Sequence, residues 1–286
     1  MNIFVRILNF SLMILMPLAL AVYLTRKFKA EWRLFGVGIL TFIISQVFHI
    51  PFNLWMLNPL LEKTGLQFNQ SGFPLFMLAL CYGLSAGLFE EITRYLGYRV
   101  SIKDERDWKS ALMYGAGHGG IESILIGILA LFTLIRLVSL QGIDLSTIVD
   151  AKYLELARSQ VEIYWEAPWH LILLGAVERL IAICFHLSAT VLVLQSFRRK
   201  NISWLALAVL WHTLLDAIAV FASQIWNPYI TEGLLLVMGF LSIGIVFKLR
   251  SPDILLEQVP PKFAPTTIEI RPINPSEENL EDSRYV

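Results

Sequence analysis

Long apolar runs alternating with short polar connections set the pattern of the first 250 residues. The runs fall at 8–24, 34–57, 73–98, 110–135, 169–195, 204–223 and 229–247. A hydrocarbon core ~30 Å thick is crossed by about 20 helical residues, so each run is long enough to span it. A spanning segment must be helical, because the bilayer offers no water to satisfy free backbone groups. The pattern therefore predicts an all-α fold, a polytopic transmembrane bundle of about seven helices filling residues 1–250. The N-terminus lacks the short apolar core and small-residue cleavage site of a secretory signal, so the first helix is expected to stay. Beyond residue 250 the chain turns rich in Pro, Glu, Asn and Ser, and residues 251–286 read as a disordered cytoplasmic tail.

Composition agrees with a membrane protein. Only 16% of residues are charged and 56% are hydrophobic, whereas soluble domains are about a quarter charged. The net charge is zero, so nothing favours nucleic acid as a partner. Cys81 and Cys184 both lie in apolar runs and read as small buried hydrophobes. Lys and Arg crowd alternate connections: Arg26, Lys27, Lys29 and Arg33; then Arg99, Lys103, Arg106 and Lys109; then Arg198, Arg199 and Lys200. The connection 137–168 is acidic instead. This alternation predicts an N-terminus outside and a C-terminus in the cytoplasm, with Arg6 the one dissenting charge.

Against this apolar background a few ionisable residues stand out. A charge in mid-membrane costs about 2.5–3.5 kcal/mol on insertion scales, so such residues point to chemistry. Glu90 and Glu91 lie ~10–12 Å from the cytoplasmic end of their run, His118 ~14 Å, His212 ~16 Å and His186 ~17 Å, at 1.5 Å per residue. Four antiparallel spans thus bring polar groups to one level. Glu90 and Arg94, His118 and Glu122, and His212 and Asp216 are each four apart, so each pair shares a helix face. The run Gly115-Ala-Gly-His-Gly-Gly120 leaves His118 amid small residues, which suit close helix packing or room for a substrate. Arg94 is expected to pair with Glu91 and reach toward the cytoplasm. Glu178 and Arg179 read as an internal salt bridge, and His49 and Asn53 as helix–helix hydrogen bonds.

A carboxylate sheltered from water is a usable general base or acid near neutral pH. Histidines beside it can orient water or donate to a developing oxyanion. No His-Glu-x-x-His zinc motif occurs. His118, His186, His212 and Glu90 would make an acceptable shell for Zn²⁺ or another divalent metal. If the mechanism is of the glutamic type, no cofactor is needed. Spacing does not choose between the two.

The set Glu90-Glu91-x-x-Arg94, Tyr114 four residues before His118, and His212-x-x-x-Asp216 resembles the motifs of the CPBP superfamily of membrane proteases, which includes type II CAAX prenyl proteases and PrsW. Gly-His-Gly-Gly-x-Glu, and Glu178-Arg179 followed by His186, are most similar to the YhfC group, described as intramembrane metalloproteases or glutamic-type proteases. The resemblance covers residues 4–250. It implies a bacterial or archaeal cell-membrane endopeptidase in which Glu90 activates water with His118 as its partner, while His212 and Asp216 support the oxyanion. Two residues rather than three separate the glutamates from the arginine, and Tyr114 replaces the usual Phe. Both departures point away from a prenyl-protein substrate.

The resulting expectation is an intramembrane endopeptidase acting on a membrane-embedded or membrane-associated protein or peptide, in a pocket opening toward the cytoplasmic leaflet. Glu90, Glu91, His118 and His212 are the candidate catalytic residues. Arg94, Glu122, His186, Asp216, Glu178 and Arg179 support them. Two other readings remain: a proton-coupled transporter or channel, and an inactive scaffold that binds a peptide in the same pocket.

Overall fold

A computed structural model describes residues 2–250; the tail expected at 251–286 lies outside them. Among the described residues there are only helices and connecting turns. Seven helices are long and apolar enough to cross a membrane, and they coincide with the seven apolar runs. They are α1 (Asn2–Phe28), α2 (Trp32–Phe52), α4 (Gly72–Val100), α5 (Trp108–Ser139), α7 (Trp169–Arg198), α8 (Ser203–Ile225) and α9 (Pro228–Lys248). Two short helices complete the set. α3 (Asn58–Lys63) extends α2 through a widened π-type turn at Asn53–Leu57, and α6 (Leu154–Glu166) interrupts the acidic connection.

Outward-facing Leu40, Phe48, Leu84, Leu129, Phe132, Leu210 and Phe240 are exposed, as side chains are where lipid replaces water. The most central helix is α7, which packs against α1, α4, α5, α8 and α9. The strongest pairings otherwise join α4 to α8 and α5 to α1 and α2. Lipid tails are as apolar as leucine, so helices in a bilayer associate through close packing and small residues rather than hydrophobic drive. The glycine-rich start of α5 is such a seam. A Cβ on Gly117 would lie 2.1 Å from the Phe35 carbonyl oxygen of α2, and one on Gly119 would lie 2.6 Å from the His186 ring of α7. Gly117→Ala therefore has to push backbone from backbone. Overpacking of this kind costs at least about 1–3 kcal/mol, and the expected result is a lower unfolding temperature in detergent than for wild type.

Arg6, the dissenting charge, does not count as a free surface cation. Its guanidinium donates to the Tyr164 carbonyl of α6 and lies 3.6 Å from the centre of the Tyr164 ring. It pins the acidic connection to α1.

Candidate functional site

Near mid-bundle, α4, α5, α7 and α8 each contribute to a single polar cluster. Glu90 and Glu91 come from α4, His118 and Glu122 from α5, Arg179 and His186 from α7, and His212 and Asp216 from α8. Glu91, Arg94 and His118 are completely buried, while Glu90, His186 and His212 retain a few per cent exposure.

Arg94 holds the centre. One terminal nitrogen, Nη1, donates to both oxygens of Glu91 at 2.9 Å, and Nη2 reaches His186 Nδ1 at 3.0 Å. The expected pairing with Glu91 is present, but Arg94 does not reach toward the membrane surface. At 0% exposure it is held inside by partners that would otherwise be unpaired. The Tyr114 hydroxyl donates to the Arg94 carbonyl at 3.0 Å and so fixes α4 against α5.

Around Glu90 the hydrogen bonds are directional. The Gln46 amide of α2 donates to Oε1 at 2.9 Å. On the other oxygen, Oε2 lies 3.2 Å from His118 Nε2 and 3.9 Å from His212 Nε2. His118 Nδ1 meets the Thr41 hydroxyl at 3.1 Å, and that hydroxyl donates to the Gly38 carbonyl at 3.0 Å. A hydroxyl carries one proton, so Thr41 accepts from His118 Nδ1–H. His118 thereby presents the Nε2 lone pair to Glu90. His212 Nδ1 lies 2.7 Å from Glu91 Oε1, an acceptor already committed to Arg94, so this nitrogen donates. Its Nε2 faces Asp216 at 3.5 Å and Glu90. Farther along, Arg179 donates to both Glu122 and Glu178, and Glu122 accepts at 2.7 Å from His186 Nε2. The salt bridge expected between Glu178 and Arg179 is therefore part of a chain that leads back to His186.

A cavity of about 280 Å³ opens onto this cluster. Its walls include Phe42, Gln46 and His49 of α2, Ala86 and Glu90 of α4, Glu178, Arg179, Ile181 and Ala182 of α7, Asp216 and Ala219 of α8, and Leu235 of α9. Every wall runs toward the ends of the helices that carry the acidic connection and the α8–α9 turn. There a second cavity of about 440 Å³, lined by Trp226, Pro228 and Glu232, shares Glu178, Ala219 and Leu235 with the first. On the opposite side Tyr98, Tyr114, Met113 and Trp108 are packed shut. The expectation of an opening toward the basic connections is therefore corrected. Glu90 is nearer that end of α4, but aromatic packing closes it, and the cavity extends toward the opposite ends of the helices.

Sequence reasoning missed the role of α2. The sequence reading singled out neither Thr41 nor Gln46 and took His49 only as a helix–helix hydrogen bond, yet Thr41 and Gln46 bond the cluster and His49 lines the cavity. The signal was there: Thr41, Ser45, His49 and Asn53 recur every four residues along one face. His49 bonds Asn53 in its own helical run at 2.9 Å, and only Asn53 bridges helices, by accepting from Ser85.

Metal chemistry fits part of the set. Atoms of Glu90, His118 and His186 lie within 4.8 Å of one another, and a carboxylate with imidazoles is a common zinc-binding composition. The His118 lone pair facing a Glu90 oxygen calls for a shared proton or a cation between them. His186 belongs to the trio by distance.

A model of the family described as "YhfC intramembrane metalloprotease" matches residues 12–235. The "Uncharacterized membrane protein YhfC" of Bacillus subtilis (strain 168) is 30% identical over 220 residues, 74% of this chain and 82% of the relative. No solved structure matches the chain. The stretch matched by the family model runs from α1 into α9 and takes in every residue of the polar cluster, and the chain belongs to the YhfC intramembrane metalloprotease family.

Proposed function

We propose that this integral membrane protein is an endopeptidase in which Glu90 activates water against a peptide carbonyl. The supporting observation is the placing of Glu90. Its free oxygen faces His118 and His212 at the inner end of a polar cavity, and Gln46 holds the other oxygen. A water donating to Glu90 and to the His118 lone pair turns its own lone pair outward, toward a carbonyl entering along the cavity. Glu90 takes a proton as the carbon–oxygen bond forms and delivers it to the leaving amine. His212, with carboxylates facing both ring nitrogens, is arranged as a donor on both sides. Its Nε2–H is directed to the developing oxyanion, with Asp216 fixing the ring. A divalent metal, where bound, would be held by Glu90 and His118 and would supply Lewis-acid polarisation and more acidic bound water.

With basic residues on the cytoplasmic side, the cavity would draw water from outside the cell, and the substrate would be a membrane-embedded or membrane-associated protein or peptide. The closed aromatic floor speaks against a conducting path through the protein. To test the reading, the protein is reconstituted with a library of single-span peptides in H₂¹⁸O and the products are weighed by mass spectrometry. Cleavage that places one ¹⁸O in the new carboxylate, and that disappears in His118→Ala, is expected. Products without the label, or undiminished cleavage by His118→Ala, would sink the assignment. Repeating the assay with a chelator separates the metal-dependent form from the glutamic one.

A further inference from the structure

His186 sits within ligand distance of Glu90 and His118, yet its hydrogen bonds assign it another task. A guanidinium has only N–H donors and stays protonated in proteins. The Arg94 contact at 3.0 Å is therefore a hydrogen bond only if His186 Nδ1 accepts. A neutral ring that accepts at Nδ1 carries its proton on Nε2, and that atom lies 2.7 Å from a Glu122 oxygen, an acceptor. The two contacts agree on one tautomer, with no lone pair left at Nε2 for a metal. His118 has the opposite tautomer, set by Thr41.

We infer that His186 is a positioning residue, locked by Arg94 as an Nε2–H donor that clamps Glu122, rather than a metal ligand or a base. The clamp has a purpose at this site. Glu122 and Glu90 both line the cavity, and a freely turning Glu122 would compete for whatever proton or cation lies between Glu90 and His118. Held by His186 on one oxygen and Arg179 on the other, it stays aside. The bare Cα of Gly119 supports the clamp, because a Cβ there would lie 2.6 Å from the His186 ring. Its role in catalysis rests on the proposed function, but the tautomer does not.

The test reads the ring directly. ¹⁵N-histidine NMR of the full chain in nanodiscs, with His186 assigned by its loss in His186→Gln, or by its displacement in Glu122→Gln where the first variant does not fold, should show Nε2 protonated and Nδ1 bare. Adding Zn²⁺ should leave both nitrogens unchanged. Protonation on Nδ1, or loss of the Nε2 proton with zinc, would overturn the inference whatever the enzyme's activity. Zinc content gives a second reading. Removing a residue that only orients a site costs about 10–100-fold in metal affinity or rate, and an amide can replace both hydrogen bonds of the imidazole. His186→Gln should therefore still bind the zinc that the wild type binds. Loss of bound zinc in a folded His186→Gln protein would make His186 a ligand after all.

Discussion

Replacing Glu90 by glutamine is expected to remove peptide hydrolysis by about 10³-fold, within the usual 10²–10⁴ range for loss of a general base. The substitution is nearly isosteric. Gln46 can still bond the side-chain oxygen, and an amide N–H can donate to the His118 lone pair. Packing is therefore kept and only the capacity to take a proton is lost. Initial rates measured beside unfolding temperatures check both halves: activity falls while the unfolding midpoint stays near that of wild type. A folded Glu90→Gln protein cleaving within tenfold of the wild type would remove Glu90 from the role of base.

The largest effect on stability should come from Arg94→Met. Methionine fills much of the volume but leaves Glu91, fully buried, with His212 as its remaining close partner and His186 without its donor. Breaking a buried ion pair from one side costs about 3–5 kcal/mol, because the stranded charge keeps its desolvation penalty. For a protein of this size that is a drop of on the order of 10 °C in Tm. The double variant Glu91→Gln with Arg94→Met should regain a substantial part of the loss, since no charge is then left stranded. A single variant as stable as wild type would mean that Arg94 is dispensable to the fold.

The seven spans were legible in the sequence because bilayer thickness and backbone hydrogen bonding leave few alternatives to an apolar run of helical length. The meeting of α4, α5, α7 and α8 was legible too, since equal depths on antiparallel helices bring Glu90, His118, His186 and His212 to one level. What the sequence hid depends on rotation about each helix axis. Gln46 and Thr41 became partners of Glu90 and His118 only once α2 was seen to turn that face inward, against the glycines of α5. The direction of the cavity was hidden for a related reason. Depth alone placed Glu90 nearer the basic connections, and nothing in the spacing revealed that Tyr98 and Tyr114 close that side edge to face at 4.9 Å. The short helix α6 escaped notice because its sequence reads as a charged linker, and it takes its place through the grip of Arg6 on Tyr164.

That aromatic floor also bears on turnover. On the proposed reading, a polar fragment released beside Glu90 does not pass Tyr98 and Tyr114 and would leave along the route by which water and the next carbonyl arrive. Short hydrophilic fragments matching the released end would linger there as competitive inhibitors.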